Sequence, residues 1–141
     1  MRVKIKVLNT RCQPYRAHEW DSGLDLRANI DEMVFLKQFE PVLIGSGIAI
    51  ELPRGYEGQI RPRSSVNRQG ILTSFGTIDC DYRGEIGIVL INLTGDEFVI
   101  FPGDRIAQLV VAPVVVPVVE YVDELSSTER GSGGFGSTGR L

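Results

Sequence analysis

Apolar and polar residues alternate with a period of two along most of the chain, and helical periodicity is nearly absent. Val3, Ile5 and Val7 alternate with Lys4 and Lys6, which predicts a half-buried strand over residues 2–8. Further strand-like runs cover 42–44, 48–52, 56–61, 86–92, 97–101, 105–112 and 114–122. Turn formers separate them: Gly45, Gly47, Pro53-Arg54-Gly55, Gly58, Gly76, Gly84, Thr94-Gly95-Asp96 and Pro102-Gly103-Asp104. Short strands at this spacing predict an all-β sandwich or barrel. Pro113 and Pro117 mark edge or bulge positions in the valine-rich run. Residues 64–69 lack alternation and stop at Gly70, so one short helix is expected there.

From about Ser126 the pattern dissolves. Arg130-Gly131-Ser132-Gly133-Gly134-Phe135-Gly136 holds one cation and one aromatic among glycines. The division expected is a single β domain over 1–125 and a flexible glycine-rich arm over 126–141. A glycine-rich linker would read the same way. Consecutive glycine N–H groups can also wrap an anion, so an arm ordering over a phosphate-bearing ligand fits the Arg and the Phe as well.

Composition narrows the class. With 141 residues there is room for one domain, and with 43% hydrophobic and 23% charged residues it can build a core. No stretch approaches the ~18 apolar residues of a membrane span. The net charge of −3 argues against a nucleic-acid coat. Among the cations Arg outnumbers Lys 12 to 3, which favours fork-shaped contacts with phosphate or carboxylate. Cys12 and Cys80 allow one disulfide at most, and the charged N-terminus has no apolar run, so a reduced, intracellular and cytoplasmic setting is expected. Two sulfurs and His18 do not make a zinc site.

The densest chemistry lies in Gly76-Thr77-Ile78-Asp79-Cys80-Asp81-Tyr82-Arg83-Gly84-Glu85, between two strand patterns. It reads as a hairpin or tight loop. A solvated charged tip is the plain alternative. Continued strand alternation would bring Asp79 and Asp81 to one face, where a carboxylate among like charges has a raised pKa and can act as a base. Arg61-Pro62-Arg63-Ser64-Ser65 at a helix start suits an anion, although surface arginines beside an N-cap look similar. Asp25 and Gln108 each read as outward strand residues, with Leu24 and Leu26 facing the core.

Taken together, five ordered segments resemble the motifs of the trimeric dUTP pyrophosphatase (dUTPase) family. They are Ser22-Gly23-Leu24-Asp25-Leu26-Arg27, Arg63-Ser64-Ser65, Gly76 through Glu85, Arg105-Ile106-Ala107-Gln108-Leu109, and Arg130 through Gly136. The resemblance spans 21–139. It implies a distorted jelly-roll, β-clip-like barrel with one short helix, assembled as a homotrimer. It also implies Mg²⁺-dependent hydrolysis of dUTP to dUMP and pyrophosphate, which keeps uracil out of DNA and supplies dUMP for thymidylate synthesis. On the matching positions, Asp79 would activate the water that attacks the α-phosphorus. Tyr82 would exclude a ribose 2′-hydroxyl. The backbone from Thr73 through Gly76, Thr77 and Ile78 to Gly87 would read the uracil edge. Arg63, Ser64, Ser65 and Gln108 would hold phosphate, and Arg130 would clamp its γ end. Phe135 would stack on uracil. Asp25 would stand near the water shell of a Mg²⁺ held mainly by the triphosphate. The resemblance further implies sites shared between subunits, with no direct nucleic-acid or membrane partner.

Ser65, Thr73, Phe75 and Ser22 depart from the family's usual Gly, Asn, Pro and Ala. A dCTP deaminase shares the fold and the Arg-Ser-Ser pattern, but its proton-shuttling Glu aligns with Val89 here, and Val carries no proton. A trimer that binds nucleotide without turnover would not be expected to keep Asp79, Tyr82, Arg130 and Phe135 together.

Overall fold

The computed structural model describes residues 1–134. The chain is all-β, with eleven strands among the described residues, one helical turn and one 3-10 turn over Thr10–Cys12. The strands are β1 (Lys4–Val7), β2 (Gly23–Arg27), β3 (Val34–Leu36), β4 (Pro41–Gly45), β5 (Ile48–Glu51), β6 (Tyr56–Arg61), β7 (Ile71–Thr73), β8 (Gly76–Ile78), β9 (Gly87–Asn92), β10 (Phe98–Ile100) and β11 (Arg105–Pro113). The helix α1 spans Ser64–Asn67, shorter than the 64–69 expected. No helix of the described residues is long and apolar enough to cross a membrane.

Four antiparallel sheets form: β2-β11-β6-β8, β4-β9-β7, and the pairs β1-β5 and β3-β10. Their inward faces share one core. Leu109 of β11 lies opposite Leu24 on β2 and Ile60 on β6, and it packs with Leu26, Ile78, Ile88 and Leu90 in a cluster from which water is almost absent. Burying each such side chain stabilises the fold by about 1.5–3 kcal/mol.

The outward row of the four-stranded sheet is polar. Asp25, Gln108 and Arg61 stand opposite one another across three strands. One irregularity sets this row. Between Arg105 and Ala107, β11 advances two residues while β2 advances one, from Arg27 to Leu26. This bulge puts Ala107 inward with Leu26 and Arg105 outward with Arg27, although plain alternation would place Arg105 and Ala107 on one face.

Two expectations fail. The run 114–122 is not a strand. Its valines have a strand's composition, but Val115, Val116, Val118 and Val119 are exposed and no sheet edge among the described residues pairs with them. Pro113 and Pro117 also lack the N–H that a ladder requires. Of the two readings given for the segment from Gly76 to Ile86, the hairpin fails and the loop stands. β8 pairs with β6 and β9 pairs with β4 and β7, so its two flanks belong to different sheets.

Candidate active site

The expected site residues fall into two groups: one beside the Arg61 end of β6, and a stretch from Thr73 to Tyr82 that runs along β6 from Gly76, opposite Ile60, to Ile78, opposite Gly58, and then turns away. The first group is built on the outward polar row. Asp25 accepts a hydrogen bond from Arg63 Nε at 2.8 Å on one carboxylate oxygen and from Arg105 at 3.1 Å on the other. Arg63 also donates to the Arg105 carbonyl at 3.0 Å. The Arg105 guanidinium lies 5.2 Å from the centre of the Tyr15 ring, and Tyr15 is itself held by backbone bonds to Asp25. Gln108 Nε2 donates to the Pro62 carbonyl at 2.8 Å, which fixes the entry to α1. Ser64 and Ser65 begin α1 and are exposed. The first N–H groups of a helix have no partner within it, so hydroxyls, N–H groups and guanidinium are available together here. Arg63, Ser65, Gln69 and Arg105 line a groove of about 380 Å³.

The second group surrounds the fork where β7 and β8 part. β7 stays beside β9 as far as Thr73, opposite Leu90, and Ser74 N–H still bonds the Val89 carbonyl at 2.9 Å. After exposed Phe75 the chain joins the other sheet, with Gly76, Thr77 and Ile78 opposite Ile60, Gln59 and Gly58. Among the described residues, β8 pairs on one edge only, and Gly87 pairs only with Gly45. Backbone donors and acceptors are therefore left open along the fork. The Thr73 side chain is not among them: it is fully buried, and its hydroxyl donates to the Ile106 carbonyl.

Asp79 follows Ile78 and is exposed. The strand ends at Ile78, and the backbone turns so that Tyr82 N–H bonds the Asp79 carbonyl at 3.1 Å. The expected convergence of Asp79 and Asp81 depended on alternation continuing through this turn, and it does not continue. Tyr82 donates its hydroxyl to the Glu85 carbonyl at 3.0 Å. Glu85, Arg105 and Tyr15 were not singled out from the sequence. Their contacts join segments 10 to 90 residues apart, which no local pattern displays. Cys12 and Cys80 are both free thiols, and burial pushes the Cys12 thiol up from its ordinary pKa.

The fork lies beside the first group, Thr73 bonding the Ile106 carbonyl and Arg63 the Arg105 carbonyl, but among the described residues no hydrogen bond joins Asp79 or Tyr82 to Asp25, Arg63, Arg105 or Gln108. Asp79 comes one position after the Ile78–Gly58 pair, where the strand ends and the chain turns. From Gly58 to Arg61 is three residues of strand, roughly 10 Å, with Pro62 and Arg63 beyond. Arg130 stands apart from both: its Nε donates to the Gly133 carbonyl at 3.0 Å. Among the described residues, Val114 N–H to the Gly55 carbonyl is the last hydrogen bond to the β body, and residues 128–133 bond only one another. Phe135 lies outside the described residues.

Comparison with known proteins identifies relatives of this arrangement. A family model described as dUTPase matches residues 10–139. The chain is 54% identical to a deoxyuridine 5′-triphosphate nucleotidohydrolase of Hydrogenobaculum sp. (strain Y04AAS1), covering 99% of each chain. A mutant dUTPase of Staphylococcus bacteriophage 80alpha, solved with dUpNHpp, superposes with a TM-score of 0.84 at 29% identity, covering 98% of each chain. A mutant dUTPase of S. aureus phage phi11, described as coordinating a structural Mg(II) ion, gives 0.78 at 26% identity, covering 88% of this chain and 98% of that one.

Proposed function

The chain belongs to the dUTPase family and hydrolyses dUTP to dUMP, and we propose that each active site is assembled between subunits of a homotrimer. The observation that supports this is the separation of Asp79 from the Arg63 group within one chain. Asp79 follows the Ile78–Gly58 pair, while Asp25 and Arg63 gather beyond Arg61 at the other end of β6. Rotating a second copy about a closed symmetry axis is the economical way to bring the Asp79 end of one chain to the Arg63 end of another.

In the assembled site the open backbone of the fork, from Gly76 to Ile78 and at Gly87, reads the uracil edge as a neighbouring strand would. Thr73 acts from beneath, as part of the packing that fixes the fork. Unpaired donors and acceptors in such a slot exclude cytosine. Tyr82 stands against the deoxyribose and leaves no space for a 2′-hydroxyl. Arg63, Ser64, Ser65 and Gln108 hold the triphosphate, and Arg105 adds charge beside them. The arm from 126 to 141 brings Arg130 to the γ end and Phe135 over the base, excluding water. Asp79 takes a proton from water as its oxygen attacks the α-phosphorus. The bond from that phosphorus to the bridging oxygen breaks, and pyrophosphate leaves. The rest of catalysis is positioning and charge stabilisation.

The donor set fits a Mg²⁺ carried in by the substrate. Among the described residues no cluster of three acidic, His or Cys groups could cage an ion. Both Asp25 oxygens already accept from arginines, which leaves lone pairs for a water-bridged contact but not a free carboxylate for direct coordination. When bound, the ion would neutralise charge on the departing pyrophosphate.

The test is complementation. Asp79→Asn and Arg63→Ala should each be nearly inactive on dUTP. A 1:1 mixture, unfolded and refolded together, should regain about a quarter of wild-type activity, because a shared site draws its two ends independently from the mixed pool. A mixture as inactive as its components, with mixed trimers shown by native mass spectrometry, would sink the shared-site reading. Pyrophosphate release from dUTP, with no ammonia from dCTP, checks the substrate in the same assay.

A further inference from the structure

The turn that carries Asp79 and Tyr82 packs Cys80 against the core but makes few hydrogen bonds to the rest of the molecule. Among the described residues its hydrogen bonds from Asp79 to Gly84 are local: Tyr82 N–H to Asp79, Arg83 to the carbonyls of Cys80 and Tyr82, and the Tyr82 hydroxyl to Glu85. At one end it grows out of β8. At the other it meets the body through Glu85.

The contacts of Glu85 are specific. Its Oε1 accepts from the Gly47 N–H at 2.7 Å and from Asn29 Nδ2 at 2.8 Å. The Asn29 amide cannot reverse without loss, because its Oδ1 accepts from Asn9 Nδ2 at 2.9 Å and its N–H group would be replaced by an oxygen facing the carboxylate. Gly47 presents its N–H from a left-handed conformation, φ +67°, that a side chain would strain. A Cβ on Gly45 would collide with the Glu85 carboxylate itself. Directly beside this contact, Ser46 N–H bonds the Ile86 carbonyl and Ile86 N–H bonds the Ile48 carbonyl, at 2.9 and 3.0 Å. The corner between β4 and β5 thus forms a socket for one carboxylate oxygen.

We propose that Glu85 is a positioning residue for dUTP hydrolysis: by seating in the Gly47–Asn29 socket it holds the turn that aims Asp79 and Tyr82. This rests on the roles proposed for those two residues. The carboxylate does not touch the reacting atoms. It acts through Tyr82, whose hydroxyl is bonded to the Glu85 backbone, and through the span of the turn.

Its chemical requirement is an acceptor, not a charge or an exchangeable proton. A glutamine Oε1 can accept the same two bonds and an alanine cannot. Glu85→Ala should lower kcat about 100-fold, the scale of an ångström-size misplacement. KM for dUTP should move less than about threefold, because the phosphate-binding end is untouched. Glu85→Gln should restore kcat to within about threefold of wild type. Brief trypsin digestion read by mass spectrometry gives a second signal: cleavage after Arg83 should accelerate in Glu85→Ala and not in Glu85→Gln. Wild-type kcat in Glu85→Ala would overturn the proposal, and so would a Glu85→Gln enzyme as slow as the alanine variant. If Glu85→Ala fails to fold, Asn29→Ala decides, since it removes one of the two bonds. Faster cleavage after Arg83 with a several-fold lower kcat supports the latch, and wild-type behaviour in both overturns it. An Asp79→Asn enzyme with full activity would instead remove the site reading, while the cleavage comparison would still judge the latch.

Discussion

The two ends of β6 differ in how they treat charge. At the Arg61 end, Asp25 pairs with both Arg63 and Arg105, leaving one net positive charge, and the side chains of Asp25 and Arg63 are only 18% and 20% exposed. Pairing across β2, β11 and β6 holds this group, and the Tyr15 ring covers part of it. Beyond the Gly58 end, Asp79 stands in solvent on a turn held by β8, by Cys80 packed against the core and by Glu85 and Ile86. Binding a polyanion needs cations held at a fixed spacing, which a sheet provides. Moving a proton, the role proposed for Asp79, needs a carboxylate that no cation has claimed, and an exposed turn leaves it so until, in the proposed assembly, a second chain closes over it. The difference also explains why the ends look unalike when a single chain is viewed alone.

Four perturbations, in falling order of expected effect, bear on this contrast. Asp79→Asn should lower kcat by about 10²–10⁴-fold while affinity for a non-hydrolysable dUTP analogue stays within a few fold. A matched loss of affinity would mean that Asp79 belongs with the binding end. Removing residues 128–141 should leave an intact β fold by circular dichroism and lower kcat about 100-fold, as water exclusion and the γ clamp are lost. Failure to fold would make the segment structural. Asp25→Asn should cost about 1–3 kcal/mol of stability in urea titration, because two arginines lose their shared acceptor. It should raise KM and leave trypsin cleavage after Arg83 unchanged. If that cleavage changed too, the two ends would not be independent.

The smallest effect is expected for Lys4→Ala. The Lys4 ammonium, bonded to Glu51 at 2.7 Å and acting on it by charge, holds the Glu51 carboxyl below its ordinary pKa of 4.5. A depressed folded-state pKa gives stability that is present above the unfolded value and lost as pH falls through the folded one. Wild type and variant should therefore differ marginally in Tm at pH 7 and converge in acid. The pair is exposed, so a large difference at pH 7 would contradict its weak, screened character.

The strands of the central sheet were legible because half-burial writes itself as alternation. Ile60 and Leu109 face inward while Arg61 and Gln108 face outward, as their sequence positions imply. β3 and β7 were not legible. Each has three residues, too few to show a period, and each exists through pairing with β10 or β9. The valine run after Pro113 erred the other way, since composition signals a strand but only a partner makes one. In the site, Asp25, Arg63, Gln108, Asp79 and Tyr82 stood out through residue type and motif order. Their division between two ends did not, because it depends on β8 pairing with β6 instead of β9. Arg105 stayed hidden for a related reason: alternation alone turns it toward the core.

That last point makes the outward row a matter of parity. Arg105 faces Asp25 because β11 carries one residue more than β2 at that level. No substitution of Arg105's neighbours alters such a count, whereas gain or loss of one residue between Arg105 and Gln108 would put them on opposite faces of the sheet. Apolar, buried Ile106 and Ala107 can be exchanged for other residues that fit the core, but the length of this stretch cannot change without turning one of the two polar residues inward.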